Sequence, residues 1–530
     1  MKACKRIFPL IAVIYLLTLT FPASSQPAFF CGFMIDAPRT TESLKYYFDI
    51  IDLCKANDLN TIIFRLTDDE GSAYRFSSRP DLIMCPGAYS QKEIKKIITY
   101  AQSKGIEIIP EIEAFGHAKY ITGSPRYKDL NDAAGEQGFN AVCPVNDSTF
   151  ALMKDLFKEA AALFPSKYLH IGCDETSWGA GELSKKALQT KTRNQIWAEY
   201  VNKLDEYIKQ SGKETIIWGD FPLYNENEVL DLLNKDIIIA DWNYWENNPA
   251  TVAAVAQKVL DKGFRVMGCP AISWCKWGAR IGEAQFKNIS AYTQVYAGLK
   301  ASGNLGYILT SWVPQKYLQY SQWDSFIMAA AIARHQGRYN YMDAVPAFVK
   351  NTFGIAYDPG WNEIYKTLYT HAPQFSCADA DSLKFFPWAS QSLVKSLIMG
   401  NKIIENPFGN IKKLLSDYKK KIRKNKEVFE DLFITVDFLD YLFRRENDLL
   451  LFVRSGNNNP EAVGNYFKTV AHTDSVYRVK IKAAWLRGRR AMMNEYDKDF
   501  MYSFAKAADF SRQMAEQPIL FLQICEKKQP

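Results

Sequence analysis

The chain has 530 residues, 48% of them apolar and 23% charged, with a formal net charge of +7. At about 150 residues per domain it has room for two to four domains, and a composition this apolar excludes a disordered or collagenous chain. Three of the positive charges, Lys2, Lys5 and Arg6, precede the first acid, Asp36, so the remainder is too weakly basic to argue for nucleic acid as a partner.

Those cations lead into an apolar run from Ile7 to Phe21 and then Pro22-Ala23-Ser24-Ser25, the three-part pattern of a secretory leader, with cleavage expected after Ser25. The run is shorter than the roughly 20 residues a bilayer span needs. The expectation is an exported protein, periplasmic or extracellular, without an integral span after processing. Of the 10 cysteines, Cys4 lies in the leader, and the other nine show no metal-ligand spacing. Nine is odd, and most of them sit in apolar or Gly-flanked surroundings that suit small buried hydrophobes.

From Phe29 to Trp312 short runs that are apolar at nearly every position alternate with helix-like segments, as in parallel strands covered on both faces. The predicted strands are Phe29–Asp36, Thr61–Thr67, Ile106–Glu111, Tyr168–Cys173, Thr215–Gly219, Ile237–Trp242, Phe264–Met267 and Gly306–Thr310. Predicted helices between them include Ser43–Ala56, Gln91–Ser103, Phe150–Leu163, Ile196–Gln210 and Pro249–Lys262. Eight such units predict an α/β protein with a (β/α)8 barrel over 26–344, its chemistry at the C-terminal ends of the strands. A doubly wound open sheet competes, but no Gly-rich phosphate loop follows the first strand.

After Val345 long amphipathic patterns take over, at Leu414–Phe433, Phe438–Leu451 and Tyr477–Met493, and predict a helical C-terminal domain over 345–530. This part carries 28 Lys and Arg against 21 Asp and Glu. The run Lys419-Lys420-Lys421 with Arg423, Lys424 and Lys426 reads as a solvated helix face. The tail could cover the barrel, form a homodimer, or lend Trp361 or Trp388 to a substrate groove.

If the strands are right, the residues that follow them share one cleft. They are Asp36-Ala37-Pro38-Arg39, Thr67-Asp68-Asp69-Glu70, Glu111-Ile112-Glu113-Ala114-Phe115-Gly116-His117, Asp174-Glu175-Thr176-Ser177-Trp178, Trp218-Gly219-Asp220, Asp241-Trp242-Asn243-Tyr244-Trp245, Trp274 with Trp277, and Ser311-Trp312. Carboxylates among tryptophans suit a sugar, whose apolar faces stack on indole while its hydroxyls bond charged groups. No cofactor and no metal is expected, since the chain has five histidines and only His117 and His170 fall near the cleft. In His170-Ile171-Gly172-Cys173-Asp174-Glu175 a buried strand ends in two adjacent acids. Like charge and burial disfavour ionising both, so one is expected to stay protonated as a general acid while the other remains charged. Ordinary first-turn acids of a helix are the plainer explanation.

Three stretches, Leu66-Thr67-Asp68-Asp69-Glu70-Gly71, Ile109-Pro110-Glu111-Ile112-Glu113-Ala114-Phe115-Gly116-His117 and His170 to Glu175, resemble the second-, third- and fourth-strand motifs of family 20 glycoside hydrolases, the β-N-acetylhexosaminidases. Asp36-Ala37-Pro38-Arg39 resembles the first-strand motif, and the finer pattern is most similar to the hexosaminidase D branch. The resemblance covers Phe29 to Gln336. It implies an exo-acting enzyme that removes terminal β-linked N-acetylhexosamine from an oligosaccharide or glycoconjugate with retention. The substrate's own acetamido oxygen would be the nucleophile, an exception to the two-carboxylate scheme. Glu175 would then be the general acid and base, and Asp174 would hold the acetamido N–H. By the same resemblance Arg39 would clamp the hydroxyls at carbons 3 and 4, and His117 with Asp68 or Asp69 would orient the acid. Trp218, Trp242 and Trp312 would wall the acetamido methyl, with Asp36 and Trp274 in the substrate-binding set.

Two departures stand out. The family's seventh-strand tyrosine is missing from Cys269-Pro270-Ala271-Ile272-Ser273-Trp274-Cys275-Lys276-Trp277, and Tyr244 is the replacement candidate. Pro314 stands where the family carries a glutamate, which bears on the hydroxyl at carbon 4. Two other readings remain open: a retaining glycosidase with Glu113 or Glu175 as nucleophile, and a glycan-binding barrel without turnover.

Overall fold

Alternation along the strands decides the architecture. In Thr61-Ile62-Ile63-Phe64-Arg65, Ile62 and Phe64 join the large cluster shared with the helices, while Ile63 joins an inner cluster with Met34, Ile109, Ile216, Ile238 and Met267. A sheet that buries both faces needs helices outside and a packed interior, which a closed barrel supplies. The computed structural model describes residues 29–134, 141–225, 228–273, 282–371, 391–400, 403, 405–490 and 507–526, and it shows that closure. The segment expected to be a leader, Trp274, Trp277 and Trp388 lie outside the described residues.

The barrel strands are β1 (Phe30–Asp36), β2 (Thr61–Arg65), β3 (Glu107–Glu111), β4 (Tyr168–His170), β5 (Glu214–Trp218), β6 (Ile238–Asp241), β7 (Arg265–Gly268) and β8 (Asn304–Ser311). They pair in parallel in chain order, and β8 returns to β1 with Phe30 opposite Gly306 and Phe33 opposite Leu309. The expected (β/α)8 barrel is therefore the fold, and the open sheet is excluded. Outside lie α1 (Leu44–Ala56), α2 (Gln91–Ser103), α3 (Asp147–Leu163), α4 (Arg193–Gln210), α5 (Val229–Leu232), α6 (Pro249–Asp261), α7 (Glu283–Gly298) and α8 (Trp323–Arg334). Ser90 with Glu93 and Thr192 with Gln195 form capping boxes that fix where α2 and α4 begin. The fifth unit is the exception, since its helix is a single turn after the π-turn Phe221–Asn225.

Two strands are shorter than their apolar runs. β2 stops at Arg65 because the chain leaves the barrel there: Thr67–Asp68 pairs with Gly71–Tyr74, which pairs with Met84–Tyr89 in a separate small sheet. β4 stops at His170 because Gly172 and Cys173 adopt φ of 63° and 72°, outside the β region.

Beyond the barrel come α9 (Gly360–His371), α10 (Gln391–Gly400), α11 (Phe408–Tyr418), α12 (Lys426–Arg454), α13 (Pro460–Leu486) and α14 (Pro518–Glu526). The helical C-terminal region is as expected, but its helix limits differ. Leu414–Phe433 is broken after Tyr418 by the exposed turn Lys419–Lys421, and α12 starts after Asn425 at φ 45° and runs through to Arg454. α13 ends at Leu486, where Arg487 turns extended. Trp361 does not reach a groove: it is fully buried, stacked between Phe353 at 5.2 Å and Tyr418 at 4.9 Å. Its cluster is continuous with the barrel's outer shell, and a second cluster gathers Val394, Phe438, Phe467, Trp485 and Phe521. Among the described residues Cys31, Cys54, Cys85, Cys143, Cys173, Cys269 and Cys525 are free thiols. No described helix is long and apolar enough to cross a membrane.

The seam between β8 and β1 depends on Gly306, at φ 103°, where a Cβ would collide with the Phe30 backbone. Gly306→Ala is expected to lower stability by about 3 kcal/mol or more. Denaturant unfolding measures this, and a midpoint equal to the parent's contradicts the assignment of the seam.

Candidate active site

Strand register builds the site's floor. Asp36, Arg65, Glu111 and His170 stand opposite one another on β1 to β4, so alternation turns all four toward the axis at the mouth end. Arg65 has no exposed side-chain surface and meets Asp36 at 2.9 Å, Asp68 at 2.6 Å, Glu111 at 3.1 Å and Glu113 at 2.5 Å. Its guanidinium also lies 4.8 Å from the Trp312 ring. One cation cannot neutralise four buried acids: Arg39 shares Asp36 and Asp68, and burial favours protons on the other two. Burial and the nearby Asp174 push Glu111 up to about 7 against the pull of Arg65, and raise Glu113 well above the carboxylate range. Burial would raise Asp68 too, but Arg39 and Arg65 together hold it well below its usual value. His170 is kept neutral by burial and by Arg65, and its Nδ1 accepts from Gly172 N at 3.1 Å.

The acid pair sits on a contorted turn. Gly172, Cys173 and Glu175 all have positive φ, the last at 46°. A Cβ on Gly172 would collide with the Glu113 carboxylate, so the glycine lets β3 and β4 pack together at the mouth. Cys173 and Glu175 have no such freedom, and each left-handed residue costs on the order of 1–3 kcal/mol, a strain concentrated where function needs it. Asp220 secures the turn by accepting from Glu175 N at 2.9 Å. The turn leaves the Asp174 side chain 8% exposed and aims Glu175, 41% exposed, at the mouth. The Asp174 Oδ1 atom is buried and has no hydrogen-bond partner among the described residues.

His117 joins the acids. Its Nε2 lies 3.2 Å from Glu175 Oε2 and 3.8 Å from Asp174 Oδ2, and its Nδ1 lies 3.4 Å from Asp69 and 3.9 Å from Asp68. Burial disfavours the imidazolium, but Asp68, Asp174, Asp69 and Glu175 outweigh it and raise its pKa well above the ordinary value. Burial likewise works against ionised Glu175, yet the His117 hydrogen bond and the charges of His117 and Arg39 lower its pKa. Asp174 is raised, by burial and then by the Glu175 charge, against His117 and Arg65. Asp220 is pushed up to about 8 by burial and Asp174. Burial thus favours the protonated form of Asp174, while His117 and Arg39 favour the ionised form of Glu175.

Arg39 reaches Asp36 at 3.3 Å, Asp68 at 3.1 Å and Glu70 at 3.8 Å, with its guanidinium 5.4 Å from the Trp312 ring. Trp312 donates from Nε1 to the Tyr244 hydroxyl at 2.6 Å, and Tyr244 packs against the half-buried Trp242 at 5.0 Å. Trp218 does not line the cleft. It is fully buried in the barrel interior and donates to Glu111 at 3.0 Å. Glu113, equally buried and tied to Arg65, is not placed to attack a sugar. Trp274 lies outside the described residues. The structure thus brings together Asp174, Glu175, His117, Asp36, Asp68, Asp69, Arg39, Trp242, Tyr244 and Trp312. Arg65 was not among the residues expected at the site, and Asp220 and Glu70 were expected in the cleft without an assigned role. The signal for Arg65 is a lone cation in an apolar strand, and for the two acids their place just after a strand. Asp68, Asp69 and His117 place donor atoms within 4.8 Å of one another, as a cation site would. Arg39 and Arg65 already pair with Asp68.

A family model described as the catalytic domain of glycosyl hydrolase family 20 matches residues 29–297. The chain belongs to that family. The family 20 match ends within α7, so β8, Trp312 and the helical region lie beyond it. Among curated relatives, a β-hexosaminidase of Porphyromonas gingivalis is 28% identical over 238 residues, 39% of this chain and 30% of that protein. A β-hexosaminidase A of Caenorhabditis briggsae is 32% identical over 270 residues, 47% of this chain and 48% of that protein. The chain thus spans less than half the length of these curated relatives. A solved structure titled as a β-N-acetylhexosaminidase aligns with TM-score 0.52 and 16% identity over 66% of this chain and 81% of that one, a likeness of fold.

Arg65→Met is expected to destabilise this family 20 barrel by about 3–5 kcal/mol, because it strands buried carboxylates without a cation. Glu111 is already raised to about 7 in the folded state. A folded-state pKa above the unfolded one gives stability that is present at low pH and lost as pH rises through the folded value. The deficit of Arg65→Met against the parent should therefore be larger at about pH 8 than at about pH 5. Thermal unfolding across that range checks it, and a deficit independent of pH contradicts the charge assignment.

Proposed function

We propose that the protein is an exo-acting, retaining β-N-acetylhexosaminidase that uses the substrate's acetamido group as its nucleophile. The observation that carries this reading is the acid pair: Asp174 presents a buried, unbonded Oδ1 beside a Glu175 that opens to the mouth, with His117 bridging the two.

An amide N–H donated to Asp174 satisfies that oxygen and favours the ionised form. The charge that then appears on Asp174 raises the pKa of Glu175, its immediate neighbour, so seating the acetamido group loads the general acid. Glu175 protonates the glycosidic oxygen as the acetamido oxygen closes on the anomeric carbon. The resulting oxazolinium is held against the Asp174 carboxylate, where an opposite charge is already in place. Glu175, now ionised and stabilised by His117, takes a proton from the incoming water. Tyr244, oriented by Trp312 Nε1, is the proposed hydrogen-bond donor to the acetamido oxygen in place of the family's tyrosine. Trp242 and Trp312 frame the acetamido methyl, and Arg39 grips the hydroxyls at carbons 3 and 4.

A leaving-group series on β-N-acetylglucosaminides separates the two acids. Glu175→Gln should lose on the order of 100- to 10,000-fold in kcat/KM on alkyl glycosides and far less on an activated nitrophenyl glycoside, which needs no proton. Asp174→Asn should lose about 100-fold or more on both, because its role does not depend on the leaving group. Equal losses for Glu175→Gln across the series contradict the acid assignment.

A further inference from the structure

The segment Trp485–Arg490, which leaves the end of α13, reaches back from the helical region to the barrel mouth. There Glu42 and Arg489 form an antiparallel bridge, with Ser43 N donating to Gly488 O and Arg490 N to Thr41 O, both at 3.0 Å. The Arg489 side chain is 0% exposed, and its Nε lies 3.1 Å from Glu42, itself 3% exposed and also bonded by Gln319. The same guanidinium donates from Nη2 to the carbonyls of Pro314 and Tyr317, both at 2.8 Å. Trp485 stacks on it at 4.0 Å and donates to Gln315 O at 2.9 Å.

These contacts fasten two loops at once. One follows β1 and carries Arg39 three residues before Glu42; the other follows β8 and carries Trp312 two residues before Pro314. The loops meet in the cleft, where the Arg39 guanidinium stands over Trp312 and Val313 N donates to Asp36 at 3.0 Å. Val313 is left-handed at φ 53°, a conformation that a β-branched residue keeps only when its neighbours over-determine it. The carbonyl that Arg489 holds belongs to the next residue, Pro314. A buried ion pair is weak evidence of stability and better evidence of a specified geometry.

We propose that Arg489 is a positioning residue for the glycosidase reaction: from the helical region it sets the register between the Arg39 loop and the Trp312 loop, and so the width of the site for the terminal sugar's hydroxyls. This rests on the function proposed above. Arg489 bonds none of Asp174, Glu175 or His117. Its loss should therefore weaken grip on the sugar in ground and transition states alike, which raises KM and leaves kcat and the pH profile in place.

The test uses the full chain carrying Glu42→Gln with Arg489→Met, which removes both charges together and strands neither, alongside Arg489→Lys. Kinetics on an aryl β-N-acetylglucosaminide are combined with hydrogen exchange of residues 36–43 and 313–317. For the folded double variant a KM about tenfold above the parent's is expected, with kcat and the shape of the pH profile held. Exchange should be faster in both loops, and Arg489→Lys should fall between parent and double variant. A parental KM with parental exchange overturns the proposal, as does a fall in kcat with a displaced pH profile. If the parent hydrolyses no hexosaminide, the reading of function fails, and the exchange arm still decides whether Arg489 sets the two loops.

Discussion

Arg65 is the interaction on which the mouth of the barrel depends. It is a fully buried cation within 3.1 Å of four acids from three segments, Asp36, Asp68, and Glu111 with Glu113. Without it, four carboxylates would face one another in a region that water does not reach, at a desolvation cost of several kcal/mol for each charge. With it, Glu113 is drawn under the end of β4, where it presses on Gly172 and leaves no space for a side chain. The turn that presents Asp174 and Glu175 begins at that glycine. The geometry of the acid pair thus follows from a charge buried beneath the cleft, 4.8 Å from the Trp312 ring.

The charge balance continues outward. Arg39 and His117, whose acid neighbours favour its charged form, join Arg65 against Asp36, Asp68, Asp69, Glu70, Glu111, Glu113, Asp174, Glu175 and Asp220. Acids outnumber cations, and burial raises the pKa values of Glu111, Asp174 and Asp220, which favours their protonated forms and eases the imbalance. A site with surplus negative potential and shared protons suits a reaction that develops positive charge on a sugar ring and moves one proton out and back.

Much of this was legible in the amino-acid sequence, for reasons that differ by element. Strands buried on both faces read as apolar runs, so the barrel and its order were recoverable from Phe30–Asp36 to Asn304–Ser311. Asp174, Glu175, His117 and Arg39 lie just past strand ends, where the barrel gathers its chemistry. What could not be read is what only the third dimension supplies. Arg65 is hidden within the predicted strand Thr61–Thr67, and only register places it opposite Asp36 and Glu111. Trp218 looked like a cleft aromatic until alternation turned it into the interior. The proton assignment of the acid pair depends on burial, which adjacency in sequence does not encode, and Arg489 lies far from the mouth in sequence while packing against it in space.

The central claim is that Asp174 holds an amide so that the substrate attacks itself, and inhibition by the thiazoline analogue of N-acetylglucosamine, a mimic of the oxazolinium, tests it most directly. The account predicts competitive inhibition of the parent, tighter than by N-acetylglucosamine, that weakens by about 100-fold or more in Asp174→Asn. Hydrolysis of hexosaminides that proceeds undisturbed by the thiazoline would contradict it.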